Sequence, residues 1–436
     1  MNFQEALDYL YSLGNEVLAM KLGLESTEKL LKSLGNPERN FFKIQIAGTN
    51  GKGSTCAFLD AICRSADIKT GLFTSPHLIS ITERIKIDGA EISQTDFARH
   101  ATRVREIAEN LVAKNELEFI PTFFEQMTAI AVSSFAEAGI ELAILETGLG
   151  GRLDSVTATR AEIAAITPID FDHQNILGNS LKEIAVEKAA IIRAETKVFV
   201  ARQKKEAESV ITGKCREVGV EPFWATEQIK IKKQSAEHGN AFLTGTFITE
   251  KANYSNLWLG LPGKHQFENA ALAICIAETL NREKFEISEE DIQIGLETAE
   301  HKGRLEFYKG ILFDGAHNVA GAKALKNYLD EFVNQPITLI FGSMRDKDLS
   351  EISEILFPKA TFLILTKADN QRSMETAELM KFLPAGFNKK NVYQRESVEE
   401  ALLLAGYCSI RGITCVTGSL YLVGEAQKIL KNESEI

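Results

Sequence analysis

The sequence predicts an α/β fold in two domains, each built on a doubly wound sheet, with a small β-meander appended to the first. Three observations carry that expectation. Strand-like and helix-like segments alternate through most of the 436 residues, as in sheets covered by helices. Between about Ile229 and Leu261 the alternation gives way to short strands with Gly and Asn turns, the pattern of a meander. A polar stretch, Glu297 to Gly303, then interrupts the chain before the alternation restarts. Because one hydrophobic core rarely organises so long a chain, the boundary is set there: residues 1–299 and residues 300–436.

The elements follow in order. The 47 residues before Gly48 read as two or three helices. Lys43–Ala47 reads as a strand, and apolar spacing at Thr55, Phe58, Leu59 and Ile62 as a helix after it. A helix spans about Phe123 to Ala138, opened by Thr122 and Glu125 as a capping box. Glu141–Leu145 and Ile163–Ile166 read as buried strands. After the meander come helices at about Gln266–Leu280 and Glu289–Thr298. Beyond the linker, strands near Ile311–Phe313, Ile337–Phe341, Thr361–Leu365 and Ile413–Val416 build the second, Rossmann-like domain.

Composition removes several function classes. A net charge of −11 disfavours general affinity for nucleic acid or anionic membranes, while leaving room for local basic pockets. Met1-Asn2-Phe3-Gln4-Glu5 lacks the basic start and apolar core of a signal peptide. The longest apolar run, about Ala270 to Ala277, is far short of the ~20 residues a membrane helix requires. Cys56, Cys63, Cys215, Cys275, Cys408 and Cys415 are scattered without a metal-type CxxC pair, and reduced thiols in a cytoplasmic monomer are expected. Cys56 and Cys63 share one helix face and read as core.

The chemistry begins at Gly48-Thr49-Asn50-Gly51-Lys52-Gly53-Ser54-Thr55, between a strand and a helix. Glycines there let backbone N–H groups converge on phosphate oxygens, and the helix N-terminus adds a favourable dipole. The expectation is an ATP site formed by Thr49, Asn50, Gly51, Lys52, Gly53 and Ser54, with Lys52 on the β- and γ-phosphates. Ser54 or Thr55 would face Mg²⁺. The loop is shorter than the general GxxxxGK[ST] pattern, and Gly53 separates Lys52 from Ser54. This makes the first domain a P-loop-type ATPase domain. Glu146 sits at a strand end, where ligands of open α/β sheets gather, so its carboxylate is placed for a metal.

The GTNGKGS loop resembles that of the Mur ligase superfamily, whose members join carboxylates to amines with ATP. Within it, the chain resembles folylpolyglutamate synthase and the bifunctional dihydrofolate synthase. Eight motifs in one order carry the resemblance. They are Leu22-Gly23-Leu24-Glu25; Thr74-Ser75-Pro76-His77-Leu78 with Glu83-Arg84-Ile85; residues 145–154 (LETGLGGRLD); and Asp170-Phe171-Asp172-His173. Glu187-Lys188-Ala189-Ala190-Ile191, residues 265–271 (HQFENAA), Gly303-Arg304-Leu305-Glu306 and Asp314-Gly315-Ala316-His317-Asn318 complete them. Two departures stand out. Asp154-Ser155-Val156-Thr157 replaces the family's Asp-Ala-Thr-Asn run, and Lys302 stands where Pro often precedes the Gly-Arg pair.

The resemblance implies that Glu146 and Ser75 hold one Mg²⁺ and that His173 helps hold a second. It implies ATP contacts from His265, Asn269, Arg304 and Asp314, places His317 near the reacting phosphate, and leaves room for a monovalent cation. It also implies a substrate-facing loop over residues 74–84. The substrates would be L-glutamate and dihydropteroate or a reduced folate. Their carboxylate would attack the γ-phosphate, and glutamate's amine would then attack the acyl phosphate. A UDP-sugar Mur ligase is disfavoured because its extra domain has no room before Gly48. A P-loop kinase would need neither the second domain nor the 314–318 motif, and an ATP-gated binding protein is the non-enzymatic alternative.

Lys188 lies on a helix opened by Ser180 and Glu183 as a capping box. At ~100° per residue, Leu181, Ile184, Ala185, Ile191 and Ile192 share its side. Periodicity leaves two readings, an ammonium snorkelling to water or a desolvated amine that reacts with CO₂. The family's carbamylated lysine favours the second, which makes Lys188 a catalytic candidate beside Lys52 and His317.

Overall fold

The computed structural model describes residues 1–14, 23–233, 243–409 and 412–432. Leu22 of the first motif and residues 234–242 of the expected meander lie outside these. The first sheet has eight strands: β1 (Phe42–Ala47), β2 (Thr70–Phe73), β3 (Ile85–Ile87), β4 (Ala90–Glu91), β5 (Leu142–Glu146), β6 (Ile163–Ile166), β7 (Lys197–Val200) and β8 (Pro222–Trp224). Their order is β4-β3-β2-β5-β1-β6-β7-β8, parallel from β2 to β8, with β3 and β4 antiparallel at one edge.

Helices cover both faces, so the central strands are buried throughout. Side chains still alternate between two cores. Leu142 and Ile144 of β5 join the core under the helix Lys52–Ser65, with Phe58, Ile62, Cys56 and Cys63. Ala143 and Leu145 join the core under the helices Gln94–Ala113 and Phe123–Ala138, with Phe97 and Phe135. The helix Phe123–Ala138 has the expected bounds and its Thr122–Glu125 capping box. The helix Gln94–Ala113 and the short strands β2, β7 and β8 have no counterpart in the sequence reading.

The meander is an antiparallel sheet of β9 (Lys230–Lys233), β10 (Thr244–Ile248) and β11 (Asn253–Trp258), which sends Phe247, Tyr254 and Leu257 into the first core. The helix Glu289–Thr298 runs into the expected linker, so irregular chain begins only at Ala299. Beyond it, β12 (Glu306–Tyr308), β13 (Ile311–Asp314), β14 (Ile337–Phe341), β15 (Phe362–Leu365), β16 (Val392–Gln394) and β17 (Ile413–Thr417) form a second sheet. Its order is β12-β13-β17-β14-β15-β16, parallel except for β12.

One expectation is corrected. The helix opened by Ser180 is Leu181–Ala189, so Ile191 and Ile192 lie past its end. They are buried, though not as helical positions in line with Lys188. Among the described residues, no helix is long and apolar enough to cross a membrane.

The two sheets meet through main chain. Gly424, inside the helix Leu420–Asn432, lies so close to the 74–84 segment that a Cβ there would fall 2.0 Å from the Leu78 carbonyl oxygen.

Candidate active site

Strand register assembles the site. Ile46 of β1 pairs with Glu146 of β5, and Ala47 pairs with Ile166 of β6. The carboxyl ends of three neighbouring strands therefore open side by side into the 48–54 loop, Glu146 and the 168–173 segment. In the second sheet, Asp314 and Phe341 each pair with Thr417, which brings the ends of β13, β14 and β17 together. The two sets of strand ends face one cavity of about 450 Å³, a size that suits a small-molecule ligand.

Within the loop, Thr49 and Asn50 donate their backbone N–H groups to Pro168 O at 3.0 and 3.3 Å. The Thr49 hydroxyl also donates to Asp170 O and accepts from Asp170 N, both at 3.0 Å. Thr49 thus anchors the loop to the next strand end. The donors left to face a phosphate are those of the first turn of the helix Lys52–Ser65, which have no intrahelical acceptor. Gly51 precedes that turn at φ 88°, and a Cβ there would meet Asn269 Oδ1 at 2.3 Å. Lys52 Nζ donates to Gly48 O at 3.2 Å and Thr49 O at 3.4 Å. Ser54 borders the cavity and accepts from Gln266 Nε2 at 3.2 Å. Thr55 is fully buried away from it.

Glu146 closes β5 and is 5% exposed. It accepts from Ser75 N–H at 3.0 Å and has no ion-pair partner among the described residues. Burial pushes its pKa up, against the pull of Lys52 and the Ser75 hydrogen bond. A buried carboxylate with no ion pair among the described residues, beside a phosphate cradle, fits a hard cation. Among the described residues no three His, Cys, Asp or Glu side chains cluster to hold a metal. Mg²⁺ does not need such a cage, since it is commonly held by one or two carboxylates with water and phosphate oxygens.

His173 follows β6 with φ 50° and borders the same cavity. Burial lowers its pKa to about 4, so its imidazole is neutral near pH 7 and keeps a lone pair. Lys188 is buried, and its Nζ donates to Gly48 O at 2.8 Å. That settles its direction: it points under the phosphate loop and does not snorkel. Burial, then the charge of Lys52, lowers its pKa to about 7.

From the second sheet and the segment leading into it come Arg304, Asp314 and His317, all lining the cavity. Asp314 accepts from Leu305 N and Ala316 N, each at 3.0 Å; burial raises its pKa and Arg304 opposes the rise. His317 Nδ1 lies 2.8 Å from Gly315 O, which leaves Nε2 facing Asp172 Oδ2 at 3.5 Å.

Asn269 differs from the rest. It is buried behind the loop, bonded through Nδ2 to Gln266 Oε1 at 2.8 Å, and does not line the cavity. Two lining residues carried no readable signal. His301, in the polar linker, packs so tightly on Gly53 that a Cβ there would fall 2.6 Å from Nε2. Phe124, the residue after the helix start at Phe123, presents its ring to Gly148 across the cavity wall. His77 turns out to be tied up: its Nδ1 accepts from Arg84 Nε at 2.8 Å.

Two family models match the chain, the Mur ligase middle domain over residues 46–277 and the dihydrofolate synthetase C-terminal domain over residues 297–430. The chain is 34% identical to the dihydrofolate synthase/folylpolyglutamate synthase of Bacillus subtilis, over 98% of its own length and 99% of the relative's. Among solved structures it resembles folylpolyglutamate synthase of Mycobacterium tuberculosis complexed with ADP, with a TM-score of 0.91, 27% identity and 98% of each chain covered. It also resembles E. coli FolC in complex with DHPP and ADP, with a TM-score of 0.86 and 26% identity over 100% of this chain and 99% of that one.

Proposed function

The chain belongs to the dihydrofolate synthase/folylpolyglutamate synthase family of Mur ligases, and from that membership we propose how its residues perform ATP-dependent addition of L-glutamate to folates. The single observation that carries the proposal is the shared cavity, in which the phosphate loop, Glu146 and Lys188 face Arg304, Asp314 and His317.

ATP would lie with its phosphates on the first turn of the helix Lys52–Ser65, and Arg304 and Asp314 would reach its nucleoside side from the second sheet. Lys52 would leave the carbonyls of Gly48 and Thr49 to pair with the β- and γ-phosphates. The pterin substrate would enter between Ser75-Pro76 and the ring of Phe124, a flat apolar wall on the same cavity. Its carboxylate oxygen attacks the γ-phosphorus, the bond to the β-phosphate oxygen breaks, and ADP leaves. The glutamate amine then attacks the acyl carbon; phosphate departs and the amine's proton goes to solvent or to a nearby base. His317 faces this region and is the candidate to hold the leaving oxygen. Glu146 and Ser75 would hold one Mg²⁺ and His173 would contribute to a second, with Mg²⁺ offsetting charge on the transferred phosphoryl group. Enclosure by both sheets keeps water from the acyl phosphate.

Lys188 is proposed to be carbamylated. Its free amine, populated because burial lowers the pKa to about 7, forms an N–C bond to CO₂ and loses a proton to give an anion beside the loop. The alternative, an unmodified lysine, is supported by its hydrogen bond to Gly48 O.

Whether the enzyme makes dihydrofolate, extends polyglutamate tails, or does both is decided by one assay panel. ATP, Mg²⁺ and labelled glutamate are incubated with dihydropteroate or with a tetrahydrofolate. We propose that both acceptors are glutamylated with matching ADP release. Labelling of tetrahydrofolate alone would leave a polyglutamate synthase, and ADP release without either acceptor would overturn the ligase assignment for this site.

A further inference from the structure

Asp172, between β6 and His173, is a point where groups from both sheets converge. Its carboxylate is nearly buried, and three side chains from the second sheet's loops meet it. Lys347 Nζ lies 2.5 Å from Oδ1, Asn318 Nδ2 donates to Oδ2 at 3.2 Å, and His317 Nε2 stands 3.5 Å from Oδ2. Asn318 does more than reach Asp172. The same Nδ2 donates to Asn50 Oδ1 in the phosphate loop at 3.0 Å, while its own Oδ1 caps the helix Val319–Phe332 through Gly321 N at 2.9 Å. One amide therefore ties together the phosphate loop, the 168–173 segment and the start of a helix on the other sheet.

We propose that Asn318 and Lys347 are positioning residues that seat the second sheet on the phosphate loop through Asp172 and Asn50. In this arrangement Arg304, Asp314 and His317 reach reacting geometry only when the clasp is closed. The inference rests on the reading of the 48–54 loop as the ATP site. Burial supports it: the Lys347 and Asp172 side chains are only 10% and 9% exposed although both stand at the wall of the shared cavity. The carboxylate comes from the first sheet's side and also accepts from the neighbouring His173 N–H at 2.8 Å. Among the described residues, every side chain that reaches it within hydrogen-bond distance comes from the second sheet's side.

The test exploits the double duty of Asn318. Asn318→Asp keeps an oxygen for the helix cap but replaces the donating Nδ2 with an oxygen facing Asp172 and Asn50 Oδ1, so the clasp becomes repulsive while the cap survives. The full-length enzyme is assayed with ATP, glutamate and the better pterin acceptor, and its ADP affinity is measured by calorimetry. Asn318→Asp is expected to lower kcat by roughly 100-fold, as small misplacements of reacting groups do, with ADP affinity within about threefold of wild type. Lys347→Met should give a similar loss, Lys347→Arg should restore part of it, and the Asn318→Asp/Lys347→Met double variant should be little worse than either single change. Small-angle scattering with ADP bound should show an expanded particle for Asn318→Asp. Full kcat in either single variant would overturn the proposal. So would a loss confined to the KM for glutamate, which would make Lys347 a substrate contact, or an ADP affinity that falls as far as kcat. If the wild type itself binds no ADP, the ATP-site reading has failed instead, and the two failures are told apart by that one measurement.

Discussion

Lys52 and Lys188 share an acceptor, the Gly48 carbonyl, and differ in what surrounds them. Lys52 borders the open cavity, so Lys52→Ala removes a charge without opening a hole in a core. Ligase turnover should fall by at least about 1,000-fold at an unchanged melting temperature, since the lost group acts on transition-state charge. Near-normal turnover would remove the phosphate role. Lys188 is enclosed, and its unmodified form carries a pH signature. The folded protein releases that proton at about pH 7, whereas a free lysine holds it to 10.5. The unfolded state thus binds more protons between those values, and the burial penalty is full below pH 7 and shrinks as pH rises above it. In CO₂-free buffer, Lys188→Met should raise the melting temperature at pH 6, by roughly 5 °C or more, and by less at pH 9. An equal shift at both values would mean that burial does not disfavour the Lys188 ammonium. At fixed dissolved CO₂, wild-type activity should decline below about pH 7 as the reactive amine is lost.

Elements with strong local signals were readable in advance. The helix Phe123–Ala138 announces itself by its capping box, and β6 by the short apolar run Ile163–Ile166. Glu146 was legible as a strand-end carboxylate because position at the carboxyl edge is a local property. What could not be read is pairing. Nothing near Ile46 tells that Glu146 lies opposite it, because register between β1 and β5 is set by packing over a long stretch of chain. The same limit hid His301, a linker residue with no period to betray it, and the packing of Asn269 against Gly51 from behind the loop. Gly424 is another such case. It looks like an ordinary weak point in a helix, yet the Leu78 carbonyl occupies the space a side chain would need. Gly424→Ala should improve helix propensity and still cost about 1–3 kcal/mol through overpacking, with activity reduced more than stability. Differential scanning calorimetry together with turnover checks this, and a more stable, fully active variant would show that the contact yields.

At the scale of the whole molecule, the two sheets are joined by one covalent path, residues 299–305, and by contacts that span the cavity between them. The family models divide at nearly the same place, ending at residue 277 and resuming at 297. The main-chain contact of Gly424 with Leu78 has a consequence for recombination. A hybrid gene that joins residues 1–299 of this enzyme to the second half of a relative would keep every residue of the phosphate loop, Glu146 and Lys188. It would nonetheless pair the 74–84 segment with a foreign helix, and any relative carrying a side chain where Gly424 stands would hold the halves apart. Such hybrids should bind ADP yet ligate poorly, and a reciprocal graft of residues 420–432 alone should recover ligation. The unit that can be exchanged between relatives is therefore a non-contiguous pair of segments, and the linker is not the seam along which this enzyme can be cut.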